Sequence, residues 1–265
     1  MYPSIGVVTS MVNVLTVKRY IKKLLTDSMV QIEPTRRCNF HCVHCTHKNE
    51  TGCIDIGTYR KLLLKHKDCK VVKLQGLGEP LLHPNIQQLI DMAKDKGHRV
   101  MIITNGSFPY VSNVDHYVFS LETTRPEVFE SLGKSNLPRV LENIKLAASY
   151  QKIIINCVLN YKTTPQHVEE VARFADEIKA DMWITPQEVW VHGTHEAHDD
   201  HVQKTKLAWN IHGVKENYRK YRVCTWGVSE FYYDYTGAVH PCCIRMTDEY
   251  KGMSLCEWIC KGCPL

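Results

Sequence analysis

Between residues 30 and 185, strand-like segments alternate with helix-like segments along the chain. The predicted strands are 30–33, 70–74, 99–104, 116–121, 152–159 and 181–185, and the predicted helices are 58–67, 85–96, 125–132, 138–150 and 165–179. This alternation is typical of βα units around a parallel sheet. It predicts an α/β fold, a partial (β/α)6 TIM-like barrel, in which loops after the strands build one site.

The pattern divides the chain into four predicted parts. Residues 1–28 form a helical lead-in, with an amphipathic helix over 14–27, and residues 29–190 form the partial barrel. Residues 191–223 are a loop and helix linker. Residues 224–265 form a small C-terminal, cysteine-rich β-hairpin and helix extension.

The twelve cysteines among 265 residues indicate the redox environment in which the protein works. A secreted disulfide scaffold is usually short and follows a signal peptide, and the N-terminus here has neither a basic region before its apolar stretch nor a cleavage site. We therefore expect metal-bound thiolates in a reducing cytoplasm, with no membrane association. The net charge of +5 is mild, and cluster thiolates would offset much of it, so a nucleic-acid partner is not favoured.

Cys38, Cys42 and Cys45 follow the first predicted strand with the spacing CxxxCxxC. Three thiolates can hold a cubane iron–sulfur cluster and leave one iron open for catalysis. The alternative is a zinc knuckle with His41 or His44 as its fourth ligand.

Polar motifs also end the next predicted strands. Gly78-Glu79-Pro80 follows the second strand, Asn105-Gly106 follows the third, and Ser120 and Glu122 lie at the end of the fourth. Asn160 ends the fifth strand. Turn capping is the alternative role for Asn105 and Ser120.

Together these motifs resemble the radical SAM superfamily over nearly the whole chain. The resemblance implies that the three cysteines bind a [4Fe–4S] cluster whose open iron chelates S-adenosylmethionine (SAM). It implies that SAM contacts come from the following residues: His44, Gly78, Glu79, Pro80, Asn105, Ser120, Glu122 and Asn160. The chain departs from the family at His44, usually aromatic, at Leu77, usually glycine, and at Glu122, often aspartate.

The activity implied is reductive cleavage of SAM to a 5′-deoxyadenosyl radical, which abstracts a substrate hydrogen. A flavodoxin- or ferredoxin-type protein would donate the electron. The substrate is expected to be a small molecule or a peptide.

The C-terminal extension adds a second group of cysteines. The stretch FYYDYTGAVHPC predicts a β-hairpin that delivers Cys242, with Cys224 before it and a Cys260-Lys-Gly-Cys263 pair after it. Four thiolates suit zinc or a [4Fe–4S] cluster. The arrangement resembles the SPASM/twitch extension, which implies one auxiliary [4Fe–4S] cluster on these four cysteines. The other cysteines are expected to be core or loop residues.

The substrate region carries weaker signals. His192, His195, His198 and His201 recur in a polar loop after the sixth strand, and Glu188 precedes them as a candidate substrate-binding group or general base. Three functions compete. They are oxidation assisted by the auxiliary cluster, a redox-neutral epimerisation or rearrangement of a sugar or nucleoside, and a metal-binding module without catalysis.

Overall fold

A computed structural model describes residues 28–43, 45, 50–160, 162–186 and 230–240. These residues contain eight strands: β1 (Met29–Ile32), β2 (Val71–Leu74), β3 (Arg99–Thr104), β4 (His116–Ser120), β5 (Ile153–Leu159), β6 (Asp181–Pro186), β7 (Glu230–Tyr233) and β8 (Val239–His240). They form one sheet in the order β6-β5-β4-β3-β2-β1-β7-β8. Every neighbouring pair is parallel except β7 and β8, which form an antiparallel hairpin.

Helices cover one face of this sheet. They are α1 (Ile56–Lys65), α2 (Ile86–Asp95), α3 (Pro126–Ser131), α4 (Leu137–Tyr150) and α5 (Pro165–Glu177), with a short 3₁₀ helix at Pro80–Leu82. Hydrogen bonds with nearby side chains cap the N-termini of α1 and α5. Asp55 accepts a hydrogen bond from the Thr58 amide at the start of α1, and Thr164 forms a capping box with His167 at the start of α5.

The two faces of the sheet bury different residues. Because side chains alternate along a strand, Val30 and Ile32 pack into the main core under the helices, whereas Met29 belongs to a small apolar cluster on the opposite face. The other buried members of that cluster are Val71, Met101, Val118 and Ile154.

The predicted α/β partial barrel is confirmed, and the sheet formed by the described residues does not close into a complete barrel. The observed strand and helix bounds lie within about two residues of most predicted ones. The hairpin is also present, but its first strand joins the main sheet beside β1, which the sequence did not predict. Within the described part of the chain, no helix is long and apolar enough to cross a membrane.

Candidate functional site

The cysteine loop, residues 35–45, begins three residues after β1 ends. Its three cysteines, Cys38, Cys42 and Cys45, are partly buried. Phe40 is buried and anchors the loop, because its ring meets the Phe129 ring of α3 edge to face at a centroid distance of 5.9 Å. The loop is therefore held against the helix-covered core rather than lying free on the surface.

The segment between α3 and α4 holds the backbone of this loop. The His41 amide donates to the Gly133 carbonyl at 2.9 Å, and the Val43 amide donates to the Leu132 carbonyl at 3.0 Å. Gly133 has a φ of +78°, and a Cβ there would lie 2.0 Å from the His41 carbonyl oxygen. Only glycine meets both demands, so this position is fixed by close contact with the loop.

The Gly78-Glu79 motif packs on the other side of the cysteine loop. A Cβ on Gly78 would lie 2.1 Å from the Thr35 carbonyl oxygen, and the Glu79 amide donates to the Arg37 carbonyl at 2.7 Å. The loop is thus clamped between the segment after β2 and the segment after α3. These contacts bring two of the predicted motifs together.

Glu79 joins the ends of β2 and β3. Its buried carboxylate accepts hydrogen bonds from the Thr104 hydroxyl at 2.7 Å, the Asn105 amide at 2.7 Å and the Leu81 amide at 3.1 Å. Burial raises the pKa of Glu79 to about 7, although these three donors oppose the shift. The carboxyl group is therefore poised between its two protonation states near neutral pH.

Asn105 also contacts the cysteine loop directly. Its side-chain amide donates to the Asn39 side-chain oxygen at 3.0 Å, and its own oxygen accepts from the Ser107 amide at 2.9 Å. The turn-capping role considered from the sequence is thus present. The same side chain also links the end of β3 to the residue after Cys38.

Sequence reasoning missed Glu33, which is fully buried directly after β1. It forms an ion pair with Arg36 at 2.6 Å, and accepts from the Leu77 amide at 2.7 Å and from the Tyr235 amide at 3.3 Å. One carboxylate therefore ties together the cysteine loop, the Gly78-Glu79 motif and the hairpin. A glutamate immediately after a mostly apolar strand was the available signal.

Ser120 and Glu122 lie at the end of β4, as predicted. Glu122 is buried and forms an ion pair with the buried Lys134, which the sequence analysis did not identify. The Lys134 ammonium group also lies 3.5 Å from the Ser120 carbonyl oxygen. Asn160 is fully buried, and its side-chain oxygen accepts from the Lys162 amide at 2.9 Å in the turn after β5.

Several predicted site residues lie outside the described residues. They are His44, Glu188, the histidines 192, 195, 198 and 201, and the cysteines 224, 242, 260 and 263. Their assignments stay predictions. Of the remaining cysteines, Cys157 is fully buried in the core, as expected.

The surroundings of Cys38 and Cys42 suit thiolates bound to an iron–sulfur cluster. Burial raises the pKa of Cys38, and raises that of Cys42 to about 11, while backbone amides near Cys38 and the Lys134 cation near Cys42 act in the opposite direction. These groups would stabilise metal-bound thiolates in a partly buried loop. Among the described residues, no three His, Cys, Asp or Glu side chains converge on a single metal ion. A cubane binds each thiolate at a different iron and needs no such convergence, and three thiolates are the donor type that iron–sulfur clusters use.

The chain was compared with known proteins. The family model of the radical SAM superfamily matches residues 32–175, more than half of the chain. A tungsten-containing aldehyde ferredoxin oxidoreductase cofactor-modifying protein of Pyrococcus furiosus is 32% identical over 71% of this chain and 44% of its own length. A GTP 3′,8-cyclase of Limosilactobacillus fermentum is 30% identical over 49% of this chain and 45% of its own. The chain thus spans less than half of the length of these two curated relatives.

A solved structure supports the same assignment at the level of the fold. SuiB of Streptococcus suis, crystallised with its precursor peptide SuiA, superimposes with a TM-score of 0.64 at 17% identity, over 92% of this chain and 68% of SuiB. SuiB has also been crystallised with SAM. The chain therefore belongs to the radical SAM superfamily, a membership that implies a [4Fe–4S] cluster and SAM as cofactors.

Proposed function

We propose that Cys38, Cys42 and Cys45 hold the SAM-binding cluster and that the enzyme oxidises a small molecule or a peptide side chain. The observation that carries the cluster assignment is the clamped cysteine loop, which backbone contacts from Gly78-Glu79 and from Leu132-Gly133 hold in place, with Cys38 near the Glu79 carboxylate. When bound, the cofactors supply a 5′-deoxyadenosyl radical for hydrogen-atom abstraction and an acceptor for the electron that oxidation releases.

The residues around the loop would bind and orient SAM. The Glu79 carboxylate and the Gly78 backbone would hold its amino group. Asn105, Ser120 and Glu122, which follow β3 and β4, would contact its methionine and ribose portions. His44 and Asn160 complete the proposed set. Because Glu79, Asn105, Ser120, Glu122 and Asn160 lie at the ends of parallel strands, they share one edge of the sheet.

An auxiliary [4Fe–4S] cluster on Cys224, Cys242, Cys260 and Cys263 completes the proposal. Its support is the position of the β7–β8 hairpin, because β7 pairs with β1, the strand that leads into the cysteine loop. Cys242 follows the last residue of β8, His240, by two positions. Three of the four proposed ligands thus follow, in the sequence, a hairpin that pairs with the strand leading into the cysteine loop.

The first experiment is anaerobic reconstitution of the chain with iron and sulfide. We expect about eight iron atoms per chain, four in each cluster. With SAM and dithionite, the protein should release 5′-deoxyadenosine, and Cys42→Ala should abolish that release. Cys69→Ala is the matched control, because Cys69 lies outside the cysteine loop near the end of α1 and should leave cleavage unchanged. Release of 5′-deoxyadenosine by Cys42→Ala would contradict the assignment.

A redox-neutral reaction is the second candidate, favoured by the relative named as a GTP 3′,8-cyclase. The two candidates differ in the mass of the product. Oxidation gives a product about two mass units lighter than the substrate, whereas epimerisation or rearrangement leaves the mass unchanged. Mass spectrometry of the reaction mixture therefore decides between them.

A further inference from the structure

Lys134 and Glu122 form an ion pair in which both side chains are buried, with 2% and 1% exposure. Glu122 lies two residues after β4, and Lys134 lies in the connection between α3 and α4. Removing two charges from water is costly, and their mutual attraction often fails to repay it. Such a pair is therefore poorly explained by stability alone.

The Lys134 ammonium group is held by more than its partner. It lies 3.5 Å from the Ser120 carbonyl oxygen and 5.5 Å from the centre of the Phe129 ring. The same ring packs against Phe40 of the cysteine loop. The cation is thus fixed between the end of β4 and the helix that supports the loop.

The pair also adjoins Cys42. Gly133, the residue before Lys134, lies so close to the loop that a Cβ there would be 3.3 Å from the Cys42 Cα atom. The His41 amide also donates a hydrogen bond to the Gly133 carbonyl at 2.9 Å, so the residue that carries the cation directly follows one that contacts the cysteine loop. Lys134, Glu122 and Cys38 are the ionisable side chains that act electrostatically on Cys42.

We propose that the buried Lys134–Glu122 pair sets the reduction potential of the cluster bound through Cys42, with Lys134 stabilising the charge gained on reduction. The inference rests on the proposed function, because it takes Cys42 as a ligand. Reduction transfers one electron from a low-potential donor to the cluster and adds one negative charge. In a site of low dielectric constant, a nearby fixed cation stabilises that charge. Local net charge is among the factors that set iron–sulfur potentials.

The test is an anaerobic redox titration followed by electron paramagnetic resonance, with the reconstituted full chain and without SAM. Lys134→Met should shift the potential to more negative values, because the cation is lost. Glu122→Gln should shift the potential to less negative values, because the positive charge of Lys134 is no longer neutralised by a carboxylate. Lys134→Arg keeps the charge and should retain a potential close to that of the unchanged protein.

Controls separate this inference from the proposed function. Cys42→Ala identifies the signal of the first cluster by its loss, and persistence of every signal would contradict the ligand assignment itself. Lys94→Met removes a cation paired with Asp115 at the opposite end of β4 and should leave the potential unchanged.

The double variant Lys134→Met/Glu122→Gln tests the inference even if a single variant fails to fold, because it leaves no unpaired buried charge. Its potential should lie between those of Lys134→Met and Glu122→Gln. Unchanged potentials, or shifts of the same sign in both single variants, would overturn the inference.

Discussion

At the scale of single residues, Glu79 is deeply buried and its carboxylate accepts three hydrogen bonds. Its pKa of about 7 in the folded protein lies above the ordinary carboxyl value of 4.5. The folded state therefore retains a proton that the unfolded chain releases between these two pH values. A group of this kind makes the folded state less stable as pH rises through that window.

We predict that Glu79 alone makes a contribution to the free energy of unfolding of the cofactor-free protein that falls by on the order of 3 kcal/mol between about pH 4.5 and pH 7, against the rise that the lowered pKa of His66 gives in much the same range. Glu79→Gln should remove this contribution, because an amide does not titrate, so the difference in free energy of unfolding between the variant and the unchanged protein should change with pH by that amount. Urea unfolding at several pH values measures it. Glu142→Gln, on the exposed face of α4, is the control, and an equal pH-dependent difference in that variant would refute the prediction.

Gly133 and Gly97 share a positive φ but differ in their surroundings. A Cβ at Gly133 would meet the His41 carbonyl at 2.0 Å, whereas a Cβ at Gly97 would meet nothing within 4 Å. Gly97→Ala should therefore cost only the left-handed backbone penalty of about 1–2 kcal/mol. Gly133→Ala should cost more and lower the iron content, because it displaces the loop that carries Cys42.

Urea unfolding and an iron assay compare the two glycine variants directly. The Gly97→Ala protein should bind as much iron as the unchanged protein. Equal losses of stability in the two variants, with full iron in both, would show that contact with the loop does not matter.

At the scale of the elements, β7 is tied to α1 as well as to β1. The Tyr233 hydroxyl lies 2.8 Å from Nε2 of His66, which is buried at the end of α1. Burial and nearby Lys65 lower the pKa of His66 to about 4, so its ring is neutral at physiological pH. This contact therefore joins two neutral groups across the interface between hairpin and helix.

We predict that Tyr233→Phe destabilises the protein by about 1 kcal/mol, because it leaves a buried imidazole nitrogen without its partner. Thermal unfolding followed by circular dichroism measures the change. Tyr150→Phe is the matched control, because Tyr150 is 69% exposed and should tolerate the loss of its hydroxyl. Equal stability of Tyr233→Phe and the unchanged protein would argue against the bridge.

The elements also show which features of the fold could be predicted from the sequence. Strands such as β3 were predicted within a residue, because apolar runs and turn residues act locally. The parallel pairing of β7 with β1 was not predicted, since partners far apart in the chain leave no periodic signal in either segment. The same reason explains why Lys134 escaped notice while its partner Glu122, at a strand end, did not.

At the scale of the whole molecule, parallel strands carry most of the predicted site to one edge of the sheet. Glu79, Asn105 and the cysteine loop meet there through direct hydrogen bonds, as their places after successive strands predicted. Residues that act through the backbone, such as Gly133, could not be predicted, because their role depends on which loop lies opposite. The auxiliary cluster stays a prediction.

For that cluster we predict that Cys260→Ala halves the iron content, from about eight atoms per chain to about four. Cleavage of SAM should persist, because the first cluster does not depend on Cys260, whereas oxidation of the substrate should be lost. Iron analysis and chromatography of 5′-deoxyadenosine test both parts. Full iron content in this variant would exclude Cys260 as a ligand.

The pairing of β1 with β7 has a consequence for the order in which the protein assembles. Glu33 accepts a hydrogen bond from the Tyr235 amide, which the ribosome adds about 200 residues later. Contacts between such distant residues form slowly and late in folding. The cysteine loop of a nascent chain therefore lacks its contacts with the hairpin until the hairpin has been synthesised. We expect cluster insertion in the cell to follow translation through residue 235 rather than to accompany it.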